Sequence, residues 1–152
     1  MSNRSQAIKK RFHTVCANVI ADEWGPSWAA IDTNSDSWTV RFQSTAHAAV
    51  RLIDLRLSEQ RRVIDIVLGV KQTPDQPPPK IWWEDRSLHP RQTRYAKVLW
   101  TGPAYSTEAG IEAPREFWGE ALGQAIRTRL CILRPAIGGW FEEAEAAILQ
   151  RQ

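Results

Sequence analysis

Cysteine is scarce in this chain of 152 residues: there are two, Cys16 and Cys131. Two distant cysteines make no disulfide framework. With three scattered histidines, His13, His47 and His89, they offer no ligand spacing typical of zinc, so no metal and no cofactor is expected. Apolar neighbours on both sides of each cysteine (Val15 and Ala17, Leu130 and Ile132) point to buried free thiols in a reducing compartment. His13 and Cys16 lie on one side of a helix, but burial beside an apolar stripe makes that thiol inert rather than nucleophilic. Glycine is sparse too. None of the eight falls in a G-x-G-x-x-G, P-loop or G-x-S-x-G pattern, which removes the usual phosphate cradles and the nucleophile elbow. The chain has no E-x-K or D-x-K triplet, so a metal-dependent nuclease loses its main support. Long apolar runs are missing as well: nothing approaches the roughly 18 residues that a membrane span needs. The first residues, Met1 to Gln6, are polar and lack the apolar stretch of a signal peptide. A cytoplasmic protein with no membrane association is the expectation.

What is abundant is tryptophan, with eight residues, two of them adjacent at Trp82-Trp83. Proline, with nine, clusters between Gln72 and Lys80. The balance of 43% hydrophobic and 24% charged residues is that of a globular chain. At this length one domain, residues 1–152, can bury roughly 68–70% of its unfolded surface. A net charge of +3 permits nucleic-acid binding without demanding it.

Periodicity places the elements. Ile8, Phe12, Val15 and Val19 form a stripe at helical spacing over 5–23, with Lys9, Lys10 and Arg11 turned mostly away from it, and Gly25-Pro26 ends the helix. Asp22 and Glu23 sit at the unfavourable end of its dipole and call for a nearby cation. Trp28–Asp32 and Trp38–Gln43 read as a hairpin around the turn residues 33–37. Residues 46–57 carry no clean helical stripe; as a strand, Ile53, Leu55 and Leu57 share one face, which favours strand. Val63–Val70 alternates with apolar residues on both faces, as an interior strand does. Pro77-Pro78-Pro79 favours extended polyproline conformation within a loop at about 72–80. Lys80–Glu84 reads as a short strand, Asp85–Thr93 as a loop, and Tyr95–Trp100 as the last strand, stopped by Gly102-Pro103. Pro114 opens a first C-terminal helix, in which Gly119 and Gly123 lie one turn apart and allow a close backbone approach. Arg134-Pro135 and Gly138-Gly139 then separate it from a second. The fold expected is α+β: an N-terminal helix, a mainly antiparallel sheet of five or six strands, and two C-terminal helices packed on one face.

The region from Lys71 to Trp100 is the main candidate site. It joins the prolines to Trp82, Trp83 and the cations Arg86, Arg91, Arg94 and Lys97, and no carboxylate occurs between Asp85 and Glu108. On a strand the two tryptophans point to opposite faces, so a one-sided core takes at most one of them. Tryptophan and arginine together are enriched at protein interfaces, and the same pairing serves single-stranded nucleic acids by stacking and charge neutralisation. The first reading is a non-enzymatic interaction module that engages a protein partner or its own copy. The alternative is a nucleic-acid-binding protein using the same tryptophans with Arg86, Arg91 and Arg94. A third reading is a small-molecule receptor or enzyme with an aromatic pocket between sheet and helices, drawn from Trp38, Trp100 and Trp118 with Asp65. No catalytic residue is recognisable, which leans away from an enzyme.

Overall fold

The computed structural model describes residues 3–31, 38–81, 84, 86–88, 92–106 and 111–150. The chain opens with helix α1 (Asn3–Trp24) and continues through five strands: β1 (Trp28–Ile31), β2 (Thr39–Ser44), β3 (Val50–Ser58), β4 (Val63–Lys71) and β5 (Ala96–Pro103). It closes with helix α2 (Trp118–Leu149), preceded by a short 3-10 turn at Arg115–Phe117. The strands form one antiparallel sheet in the order β1-β2-β3-β4-β5. The α+β class and the N-terminal helix are therefore as expected. No described helix is long and apolar enough to cross a membrane.

The two faces of the sheet differ. Val40 and Phe42, Ile53, Leu55 and Leu57, and Ile64, Ile66, Leu68 and Val70 point to one face and form the core with both helices. The stripe of α1 (Phe12, Val15, Cys16, Val19, Ile20) and that of α2 (Leu122, Ile126, Leu130, Ile137, Phe141, Ala144, Ile148) complete it. The helices run parallel, and two glycines set how closely. A Cβ on Gly123 would lie 3.3 Å from a Val15 methyl, and one on Gly119 would lie 2.5 Å from Arg11 Nε. The cations that Asp22 and Glu23 call for come from α2. Arg127 reaches Asp22 and Glu23 at 3.0 Å each, and Arg134 donates to the Glu23 backbone carbonyl at 2.8 Å.

Several expectations need correction. Where two C-terminal helices are expected there is one continuous helix of 32 residues, with Pro135 inside it. Pro135 removes a single backbone donor, while the apolar stripe runs on in phase from Leu130 to Ile137, two turns later, so core burial outweighs the break. Strand β5 extends through Pro103, which an edge strand tolerates because the missing N–H faces away from the sheet. Residues 46–49 are irregular and 50–58 are strand. The described part of Lys80–Glu84 is not strand, and residues 92–95 form a 3-10 turn. Cys131 is exposed rather than buried. Lys9 is buried, its ammonium 4.8 Å from the centre of the Trp38 ring.

Candidate functional site

The proline segment lies across the face of the sheet that the helices leave open. It is shaped first by Lys71 at the end of β4, whose Nζ donates to the carbonyls of Pro74 (3.0 Å) and Gln76 (3.1 Å). Burial, and then the charge of Arg41, hold this ammonium below the ordinary lysine range. The Gln76 side-chain oxygen accepts from the N–H groups of Gln72 and Thr73, closing the turn. Pro77 to Lys80 then run extended over Gly69, where a Cβ would meet Pro79 at 3.1 Å, and Ile81 is buried. The void under Pro78, Pro79 and Ile81 is only about 10 Å³, barely one water, so the segment is seated on the sheet.

A line of charged groups fastens its far end. Arg41 on β2 and Asp54 on β3 are register partners and form a bidentate pair at 2.7 Å, both bonds equal. Arg56 donates to the same carboxylate at 3.2 Å and also pairs with Glu84, whose other oxygen accepts from the Ile81 N–H at 3.1 Å.

Beside the segment is a groove of about 500 Å³, lined by Val70, Lys71, Gln76, Pro77, Pro78, Pro79, Lys80, Leu88, Tyr95 and Ile148. Lys80 lines it, and Arg86, Arg94 and Lys97 adjoin its lining residues Leu88 and Tyr95 in sequence; all four are exposed and form no ion pair among the described residues. Trp82, Trp83 and Arg91 lie outside the described residues.

The expected aromatic pocket is dispersed. Trp38 lies against Lys9, Trp100 against Arg129 at 5.0 Å, and neither lines a cleft described here. Asp65 accepts from the Thr101 hydroxyl at 2.6 Å on the sheet. Trp118 does line a cleft, of about 230 Å³, with Ala7, Ile8, Arg11, Tyr105, Arg115, Gly119 and Leu122. The Trp118 and Tyr105 rings stack at 4.2 Å and 7°, and Trp118 Nε1 donates to the Ala113 carbonyl at 2.9 Å. The Tyr105 hydroxyl is buried without a hydrogen-bond partner among the described residues, and burial, helped by Glu59, pushes its pKa up to about 12. Tyr105, Arg11 and Arg115 were not readable as site residues, since nothing in the local pattern joins positions 11, 105 and 115.

Compared with protein-family models, curated proteins and solved structures, the chain matches none.

Among the described residues, neither the groove nor the cleft is lined by a carboxylate, imidazole or thiol. Among the described residues no three His, Cys, Asp or Glu side chains gather as a metal would require. Burial holds the Cys16 thiol well above its ordinary pKa, and the Cys131 thiol is raised by its hydrogen bond to Glu23. Neither has the depressed pKa of a nucleophile.

Proposed function

We propose that this chain is a non-enzymatic binding module, acting in a reducing, cytoplasmic setting, whose working surface is the flank formed by the proline segment and the start of β5. It engages a protein partner, or a second copy of the chain, that presents an apolar segment bordered by carboxylates. The observation that carries this reading is the groove itself. Its floor is apolar (Val70, Pro77 to Pro79, Leu88, Tyr95, Ile148), Lys80 stands at its margin, and Arg86, Arg94 and Lys97 follow its lining residues closely in sequence, all four exposed and with no carboxylate partner among the described residues. An apolar floor with a charged rim is the anatomy of a protein interface. Among the described residues the nearby acidic groups are engaged elsewhere: Glu84 by Arg56, and Asp75 by Thr73, whose hydrogen bond holds that carboxyl below its ordinary pKa. Trp82 and Trp83, adjoining the same segment in sequence, supply the anchors that such interfaces favour.

The same cations and Tyr95 keep nucleic acid as the runner-up, and one set of experiments separates the two. Light scattering on the full chain and retention of partners from cell extract are compared for the wild type, for Leu88→Asp, for Arg94→Glu with Lys97→Glu, and for Arg61→Glu on the distant β3–β4 turn. A dimer, or a discrete retained protein, weakened about tenfold or more by the groove variants and by Trp82→Ala but untouched by Arg61→Glu, supports the module. Tight binding of a single-stranded oligonucleotide, falling steeply with salt and lost in Trp83→Ala, replaces it with the nucleic-acid reading.

A further inference from the structure

The cleft at the other end of α2 carries an inference of its own. A 32-residue helix spans roughly 48 Å at 1.5 Å per residue, so the cleft at Trp118 and the groove at Ile148 are separate sites. We propose that the cleft binds a small apolar carboxylate, its body resting on Ile8, Leu122 and the Trp118–Tyr105 stack and its charge held by Arg11 and Arg115.

Size comes first. At about 230 Å³ the cleft is smaller than the roughly 300–1,000 Å³ of drug-sized sites, and it suits one or two fused rings or a medium acyl chain. Its walls away from the two guanidiniums are aliphatic and aromatic, so an extended polar ligand would lose hydration without compensation. Charge comes second. Arg11 forms no ion pair among the described residues, and Arg115 has only the Trp118 ring at 5.3 Å, whereas the neighbouring Arg62 is neutralised by Glu112 at 2.5 Å. Glu116 and Glu120 are exposed and do not line the cleft. Two planar, permanently charged forks at the rim of an apolar hollow match a carboxylate. The Arg11 stem is also placed by the fold, because it lies against Gly119 where any side chain would displace it.

The third observation is a preformed aromatic wall. Tyr105 is only 2% exposed, its ring stacks on Trp118 at 4.2 Å and 7°, and Trp118 Nε1 donates to the Ala113 carbonyl at 2.9 Å, so the surface that meets the ligand's apolar body is already held in place before binding.

Calorimetric titration of the full chain with 2-naphthoate and with octanoate, against the neutral 2-naphthamide and octanamide, tests this. One saturable site is expected for an acid, at least tenfold weaker for its amide, and weakened about tenfold by Arg11→Gln and again by Arg115→Gln. Ala7→Phe, placed on the exposed side of α1 at the cleft mouth, removes binding while leaving the thermal unfolding transition in place. No saturable binding of either acid, equal binding of acid and amide, or unchanged binding in Ala7→Phe would overturn the proposal.

Discussion

The Glu145 carboxylate illustrates how single residues here combine local chemistry with long-range closure. It sits near the end of α2, 8% exposed, and accepts from Arg51 on β3 at 2.6 Å and from the Ala49 N–H at 3.1 Å. Burial alone would raise its pKa; the Arg51 guanidinium and the backbone donor outweigh it and hold the carboxyl below its ordinary value. A depressed folded pKa means that the folded state favours the charged form. The stabilisation is therefore complete above the unfolded value, about 4.3, and is lost as pH falls through the lower folded value. Glu145→Gln keeps an acceptor for Ala49 but leaves Arg51 without a counter-charge, and is expected to cost about 1–2 kcal/mol at pH 7. Urea unfolding of the two proteins from pH 7 to pH 3 is expected to show the difference constant down to about pH 5 and shrinking below it. A difference that grows on acidification would mean that the carboxyl is not held ionised by these partners. The tryptophans share this pattern of partnership. The six described are half-buried at the margin of an aliphatic core, and four carry a cation over the ring. Their number records the rim of the fold more than its centre.

At the scale of elements, α2 shows what glycine and proline do and do not decide. Gly138 and Gly139 lie inside the helix with open space where a Cβ would stand, so neither is required by packing. Gly138→Ala and Gly139→Ala are each expected to stabilise the chain by about 0.5–1 kcal/mol, measured as a higher urea midpoint at constant slope. Loss of stability in either would show that the backbone there departs from an ordinary helix. The interruption read at Pro135 and these glycines was a local signal overridden by a longer one. Leu122, Ile126, Leu130, Ile137, Phe141, Ala144 and Ile148 hold one face in phase across the proline, and that spacing is present in the sequence. The strands were legible for the converse reason: alternation in β2, β3 and β4 is local, and nothing competes with it. Within the groove, the prolines and the run of cations were readable because they are contiguous. Val70 and Ile148 were not, since only the sheet register and the length of α2 bring them there. The cleft is further out of reach, because it depends on two helices running parallel and on a glycine that admits Arg11.

Across the whole molecule, one helix replacing two changes what holds the fold together. The first half of α2 pairs with α1, through Gly119, Gly123 and the Arg127 and Arg134 contacts to Asp22 and Glu23. The second half has no helix partner among the described residues. It covers the core beyond the end of α1, where Phe141 packs at 6.0 Å from the Trp28 ring and Glu145 reaches Arg51. Two separate helices would have made this half a detachable cover. As a continuous element it belongs to the same cooperative unit as the α1 pairing. Ending the chain after Arg134 removes the buried Ile137, Phe141, Ala144 and Ile148 and uncovers the strand residues beneath them. At about 1.5–3 kcal/mol for each large side chain, the three largest alone represent about 5–9 kcal/mol, comparable with the whole stability of an ordinary domain, about 5–15 kcal/mol. The shortened chain is expected to lose its cooperative thermal transition and the near-ultraviolet dichroism of its tryptophans, and to bind hydrophobic dyes as loosely packed states do. Retention of both signals would mean that α1, the sheet and the first half of α2 suffice, and that the continuity across Pro135 carries no structural weight.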